Sequence, residues 1–378
     1  MLFLHTSDWH VGRSIAGRSR LSEHEAVAAE ILGIADRERI DALLFSGDLY
    51  DSAAPGPEAE RLVYEFFAEL LRRGIRAVLI GGNHDHPKRL AALRELLDPL
   101  GIFLRAEPAR ADAGGVVAIE ARGERALIAS LPFVPERRIV TIARMVDPEE
   151  QWSQTYSDAV ARMGESLCSG FSPETVNILM AHLYVFEAKT SGSERAVHVA
   201  APYAVSAARF PVSAQYIALG HLHRPQEVSG QPPAWYAGSP LQLDFGERGQ
   251  RKRAVLVEAK PGRPARLESV PLSAGRELRE VEGTLDELLG GDYGDAYLRV
   301  RVQTDGPDSS LHARVCERLP NAVEVRAEYA TQEPSQAETL EELEPVELFR
   351  AYYHQARGVA PSEELEAAFR DLYHEVGG

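Results

Sequence analysis

Seven side chains able to bind a metal stand just beyond five apolar stretches of this sequence: Asp8 and His10, Asp48, Asn83, His182, and His221 with His223. Asp8 and His10, two residues apart, project to the same side of an extended chain and can grip one cation. Asp48 follows Gly47 at a strand end, where a carboxylate can bridge two cations and the glycine lets backbone approach closely. Asn83 adds a neutral amide oxygen, and the histidines add imidazole nitrogens. Mixed oxygen and nitrogen donors in this number suit manganese or iron in near-octahedral sites better than a four-coordinate structural zinc. Paired metals activate water and stabilise both oxygens of a displacement at phosphorus. Singly, each residue has an ordinary reading: Asp8 as a turn residue, Asn83 as a turn former, His182 as a satisfied core histidine. Jointly those readings fail, because independent turns have no reason to place a ligand type after each apolar strand.

The positioning elements are short apolar runs of strand character at residues 2–5, 42–45, 77–80, 176–180 and 216–219. Helical patterns over 22–39 and 57–73 separate the first three, a βαβαβ beginning that requires a parallel or mixed sheet. Sites in such sheets form beyond the carboxyl ends of the strands, so the five clusters converge despite their separation in sequence. From residue 278 a smaller α/β unit is readable, with strands at 278–281, 297–303 and 322–328 and helices at 284–289 and 310–319. An acidic stretch with Pro334 follows, and then two helical segments, 346–357 and 362–376, separated by Gly358 and Pro361. The expected organisation is a metal-binding domain over 1–275, a capping α/β domain over 276–332, a linker over 333–344 and a helical segment over 345–378.

The chain has 378 residues, 44% of them hydrophobic and 26% charged, enough to bury a substantial core. No signal-like or membrane-spanning run is present, so the expected location is the cytoplasm, with no membrane partner. Cys168 and Cys316 are far apart and lack metal-ligand spacing, which predicts free, buried thiols. The net charge of −16 argues against phosphate binding by a basic surface, unless bound cations supply the positive charge locally. Two basic groups, Arg13 with Arg18 and Arg20, and Arg248 with Arg251, Lys252 and Arg253, read equally as DNA contacts or as solvated loops. Arg299 and Arg301 share one strand face and read as solvated. Trp9 reads as packing rather than as a stacking surface.

Asp8-Trp9-His10, Gly47-Asp48-Leu49-Tyr50-Asp51, Gly82-Asn83-His84-Asp85, Ala181-His182 and Gly220-His221-Leu222-His223 resemble the motifs of the calcineurin-like metallophosphoesterases in order and approximate spacing. More narrowly, residues 5–12, 218–224 and Gly238-Ser239-Pro240 resemble the SbcD nucleases, partners of the SbcC ATPase. The resemblance spans nearly the whole chain. It implies that 1–275 is a nuclease domain built as a β-sandwich flanked by helices, holding two Mn2+ ions, with Mg2+ or Fe2+ as alternatives. One metal goes to Asp8, His10, Asp48 and His223, the other to Asp48, Asn83, His182 and His221, with Asp48 as the bridge. It also implies that His84 assists the leaving group and that Asp85 orients it, against the plainer reading of Asp85 as a cap. Asp51 stands where relatives often carry histidine; it receives no ligand role and reads either as an acceptor behind a ligand or as a loop cap.

The resemblance further implies 3′ to 5′ exonuclease action on duplex DNA, endonuclease action on single strands or hairpins, and a homodimer. A calcineurin-like phosphatase or cyclic-nucleotide phosphodiesterase shares the core motifs but gives no reason for the last hundred residues. Val346, Phe349 and Tyr353 recur at helical spacing, as do Leu365, Phe369, Leu372 and Val376. Helices so short are marginal alone, and these stripes are expected to dock on the coiled-coil base of an SbcC-type ATPase.

Overall fold

A computed structural model describes residues 1–135, 156–195, 199, 203–306, 308–329, 345–357 and 361–376. Successive strand residues face opposite ways, so runs such as Phe3-Leu4 and Leu43-Leu44 demand cover on both sides of a sheet. The first sheet runs Arg266–Pro271, Arg253–Glu258, Leu2–Thr6, Ala42–Ser46, Arg76–Ile80, Ile102–Arg105; the last four strands are mutually parallel. The second runs Gln226–Val228, Ala234–Tyr236, Tyr216–Gly220, Val176–His182, Glu124–Leu131, Val116–Ala121, with its four central strands parallel.

Phe3, Leu44, Val78 and Ile80 of the first sheet meet Ile128, Ile178, Met180 and Tyr216 of the second, forming the core of a sandwich. The opposite face of the first sheet, through Leu4, Leu43 and Phe45, packs on helices Leu21–Glu38 and Pro57–Arg72 through Val27, Ile31, Val63 and Phe66. The second sheet turns Leu179, Ala181, Ile217 and Leu219 toward Ala159 and Val160 of helix Tyr156–Leu167. This is the helix-flanked β-sandwich that the motifs implied. Trp9 is fully buried between Phe45 and Phe66, and its indole donates to Thr6 Oγ1 at 2.8 Å, so it packs.

A three-stranded sheet of Leu278–Thr284, Tyr297–Gln303 and Ala322–Glu328 carries helices Leu285–Gly290 and Leu311–Arg318 over its own core of Leu288, Leu298, Val300, Val302 and Val315. It belongs to the same compact unit as the sandwich, Met1–Thr304 with Asp308–Ala327. The joint uses arginines that the sequence left available for DNA. Arg18 donates to the carbonyls of Pro320 at 2.6 Å and Ala322 at 3.0 Å. Arg20 is fully buried, pairs with Glu23 at 2.7 Å and 2.9 Å and donates to the Gln242 carbonyl. Arg299 and Arg301 pair with Glu324 and Glu280.

The second unit holds the C-terminal helices Pro345–Arg357 and Glu363–Val376. The two expected stripes meet in part: Phe349 stacks on Phe369 at 4.3 Å, and Arg350 pairs with Glu366. Pairing hides part of each stripe within the hairpin and leaves Leu348, Tyr352, Leu372 and Tyr373 exposed. The linker expected at 333–344 and the side chain of Val376 lie outside the described residues. Both cysteines are free; Cys168 is buried, which pushes its thiol up to about 12, whereas Cys316 is only half-buried. Among the described residues no helix is long and apolar enough to cross a membrane.

Burial alone would raise the Glu23 carboxyl, but Arg20 holds it below the usual range, with help from the Arg276 N–H and Tyr297. Removing Arg20 strands a buried carboxylate at the joint. Arg20→Ala is expected to lose about 3–5 kcal/mol of stability in chemical denaturation. The exposed pair Arg110 with Asp112 is the control, and Arg110→Ala should leave the midpoint unchanged.

Candidate metal centre

Each ligand type lies at or just beyond the end of a strand, but backbone strain does much of the aiming. The first strand ends at Thr6, and Asp8 and His10 adopt left-handed conformations, φ 53° and 49°. They are therefore not on one face of an extended chain, as their spacing suggested. Their N–H groups donate to the carbonyls of Gly47 at 2.9 Å and Asp48 at 3.1 Å, locking the first turn to the second. Asp48 and His221 also have positive φ, 54° and 106°. Four such residues at one site are strain that the surroundings must over-determine. Glycines make the approach feasible: a Cβ on Gly47 would strike the His182 ring, on Gly82 the Asp48 carboxylate, and on Gly220 the Ser46 carbonyl.

All seven predicted residues come together. His182 Nε2 lies 3.0 Å from Asn83 Oδ1 and 3.5 Å from Asp48 Oδ2; His221 Nδ1 lies 2.8 Å from Asn83 Oδ1. His10 Nε2 is 3.6 Å from the same Asp48 oxygen, and the rings of His10 and His223 are 4.8 Å apart. Asp8, His10 and His223 form one cluster of ligand atoms within 4.8 Å, and Asp8, Asp48 and His182 form another. A third, His10, Asp48 and His84, adds the predicted acid.

Electrostatics divide the carboxylates. Burial raises the Asp8 carboxyl despite the nearby His182, whereas at Asp48 the effect of burial is overcome by His182, and its carboxyl sits well below the usual range. Burial would lower the His182 imidazole, but Asp48 raises it to about 9. Burial lowers His84 to about 4, with Asp48 opposing. Its Nδ1 lies 2.8 Å from the Asp51 carbonyl, an acceptor, so the ring proton belongs on Nδ1.

Asp85 does not orient that ring. Its carboxylate accepts from the backbone N–H groups of Gly82 at 2.9 Å, Leu49 at 3.2 Å and Tyr50 at 3.1 Å, bracing two motif turns against each other. Burial and then Asp48 push its carboxyl up to about 6 against these donors. The capping reading thus describes its contacts better than a partnership with His84. Asp51 faces His10 Nδ1 at 3.3 Å and pairs with Arg13 at 3.2 Å, the placement of an acceptor behind a ligand.

Sequence reasoning missed several neighbours. His24 reaches the Trp9 carbonyl between Asp8 and His10 at 3.0 Å. Arg195 donates to the Asn83 carbonyl at 3.2 Å. Glu247 stands 3.0 Å from His223 Nδ1 and pairs with Lys252, which is buried and so unavailable to DNA. None has a spacing signal, because each arrives from a segment outside the motif turns.

The donor set fits metal ions. Asp8 Oδ2 and His10 Nε2 are buried without hydrogen-bond partners, a costly arrangement for polar atoms that water cannot reach. A cation between them removes that cost.

A helix-flanked double sheet with imidazoles and carboxylates meeting beyond its parallel strands defines a two-metal phosphoesterase. Residues 1–225 match the family model described as calcineurin-like phosphoesterase, and residues 274–357 match one described as type 5 capsule protein repressor C-terminal domain. The chain is 33% identical to the SbcD subunit of the SbcCD nuclease of Bacillus subtilis, over 98% of this chain and 97% of that one. It is 28% identical to the corresponding SbcCD nuclease subunit of Escherichia coli K12, over 100% and 99%. The Rhodobacter capsulatus protein of the same name is 30% identical over 85% of each chain. The chain belongs to the SbcD nuclease family of the calcineurin-like phosphoesterases.

Because the folded, metal-free protein holds His182 protonated up to about pH 9, against 6.5 for an unperturbed ring, that proton stabilises the fold fully below pH 6.5. The contribution is lost as pH rises through about 9. Chelated protein should therefore melt at lower temperature as pH climbs from 6.5 to 9. Metal affinity should rise over the same window, because coordination needs the neutral ring. Calorimetric titration near pH 7.5 in buffers of different ionisation enthalpy should register proton release on metal uptake; buffer-independent heats would contradict the assignment.

Proposed function

We propose that this chain is a manganese-dependent DNA nuclease, cleaving duplex ends 3′ to 5′ and single strands or hairpins internally, as the catalytic subunit of a complex with an SbcC-type ATPase. The observation that carries the reading is the convergence of the seven side chains on one site, where Asp8 Oδ2 and His10 Nε2 are buried without hydrogen-bond partners. In this reading Asp8, His10, Asp48 and His223 hold one cation, and Asp48, Asn83, His182 and His221 hold the other. When bound, the pair supplies Lewis acidity toward water and toward the phosphodiester oxygens. The abundance of imidazole favours manganese over magnesium, which prefers oxygen donors and keeps its waters.

The remaining work falls to the protein. Asp51 fixes the His84 proton on Nδ1, so exchange of a proton with the departing sugar oxygen is assigned to Nε2. In the free chain that nitrogen is largely unprotonated at neutral pH, and the negative charge of an approaching phosphodiester acts in the same direction as Asp48, raising it. Asp85 serves by holding the turn that carries Asn83 and His84. Partner docking is assigned to Leu348, Tyr352, Leu372 and Tyr373, which the helical hairpin leaves exposed. Self-association as a homodimer belongs to the same reading.

Asp48→Ala should lose both metals and cleavage, whereas His84→Ala should keep metal and bind DNA while cleaving about 10²- to 10⁴-fold more slowly. Metal analysis showing His84→Ala to be metal-depleted would make His84 a ligand. Manganese should support cleavage of linear duplex far better than magnesium on the same preparation. Tyr352→Asp with Leu372→Asp should abolish co-purification with the ATPase and leave cleavage of short single strands intact; unchanged association would exclude this face.

A further inference from the structure

Glu247 is fully buried and outside the ligand set, yet both of its carboxylate oxygens are engaged. Its Oε1 accepts from Ser193 Oγ at 2.5 Å and faces His223 Nδ1 at 3.0 Å. Its Oε2 accepts from Ser239 Oγ at 3.1 Å, from the Leu243 N–H at 3.2 Å and from the Lys252 ammonium. Lys252, buried beside it, also donates to the His223 carbonyl at 3.0 Å and to Ser239 Oγ at 2.9 Å. The residue whose ring faces Glu247 is thus held by the same network through its backbone. Glu194 closes the other side, accepting from the His223 N–H at 3.2 Å.

The arrangement dictates a tautomer. A neutral imidazole carries one N–H, and Nδ1 of His223 is faced by a carboxylate oxygen and by a hydroxyl, Ser193 Oγ at 2.7 Å, whose proton is directed to that carboxylate. Both neighbours accept, so the proton is held on Nδ1 and the Nε2 lone pair is left for the cluster with Asp8 and His10. Two other rings are held by simpler means: His182 Nδ1 by the Ser46 carbonyl at 2.8 Å, and His10 Nδ1 opposite the partly exposed Asp51. At His223 the acceptor is a buried carboxylate balanced by a buried ammonium, so the ring meets a strong acceptor with little net charge behind it.

We propose that Glu247, charge-balanced by Lys252, is the positioning residue that fixes the His223 proton on Nδ1 and thereby sets the affinity of the cation bound by Asp8, His10 and His223. The inference rests on the reading of His223 as a ligand. Carboxylates behind ligating histidines typically govern about 10- to 100-fold in metal affinity.

The test replaces the pair together, because Glu247 alone cannot be removed without stranding Lys252. Manganese stoichiometry and affinity are measured on full-length protein by equilibrium dialysis, with melting of the chelated protein as the check on folding. Glu247→Leu with Lys252→Met should fold, keep one manganese at wild-type affinity and bind the other about 10- to 100-fold more weakly. Glu247→Gln with Lys252→Met, which restores an oxygen acceptor, should recover most of that loss. Wild-type affinity for both ions in the folded Leu/Met protein overturns the inference. His223→Ala separates the two readings: if it keeps both ions, the ligand reading fails; if it loses one that the Leu/Met protein keeps, only the positioning role fails. Should the Leu/Met protein not fold, nitrogen NMR of zinc-loaded wild-type protein at pH 8 decides. A proton on His223 Nδ1 supports the proposal, and a proton on Nε2 overturns it.

Discussion

Six of the seven converging side chains, Asp8, His10, Asp48, His182, His221 and His223, are at most 3% exposed, so water cannot satisfy them. Polar atoms in that position must bond to one another, to the backbone or to ions. This constraint governs the surrounding structure. It explains why Gly47, Gly82 and Gly220 stand where a side chain would strike a ligand residue or the backbone behind it. It also explains why Asp8, His10 and Asp48 are held left-handed by hydrogen bonds between the first two turns. Bracing by Asp85 of the second and third turns belongs to the same framework.

The charge balance follows from it. Without cations the cluster relieves itself in part by keeping a proton on His182, opposite Asp48. Coordination of a cation at His182 would require that proton to leave, and bound cations would give a chain of net charge −16 a local positive centre. Arginines and lysines that composition alone would leave free for DNA are used inside the molecule. Arg18 bonds the three-stranded sheet to the sandwich, Arg20 lies over the Tyr297 ring of that sheet while paired with Glu23, and Lys252 neutralises Glu247.

Ligand residues and fold are built as one object. Adjacent parallel strands Val176–His182 and Tyr216–Gly220 pair Gly220 with His182 in register, which sets two motifs side by side. Ser46, at the end of a strand of the other sheet, accepts from His182 through its carbonyl and donates to the Ala218 carbonyl through its hydroxyl. The two sheets are thus joined by hydrogen bonds at the edge of the site. Packing of Phe3, Leu44 and Val78 against Ile178, Met180 and Tyr216 keeps those strand ends at a fixed distance.

The ligand types were legible in the sequence because each lies at or shortly after the end of a short apolar strand, and strand polarity forces such positions to one end of a parallel sheet. Strands 297–303 and 322–328 and the two terminal helices were legible for a similar reason: their periodicity is local. What tertiary structure alone decided were relations between distant residues. The left-handed turns at Asp8 and His10 exist because Gly47 and Asp48 offer carbonyls to them. Asp85 serves backbone N–H groups because those of Leu49 and Tyr50 arrive beside it. Phe349 faces Phe369 because one helix covers the other. Glu247 lies behind His223 because a loop 24 residues downstream folds back beneath it. Sequence records which groups a chain carries and their local period, whereas the partner of a buried polar atom is set by which distant segment fills the space around it.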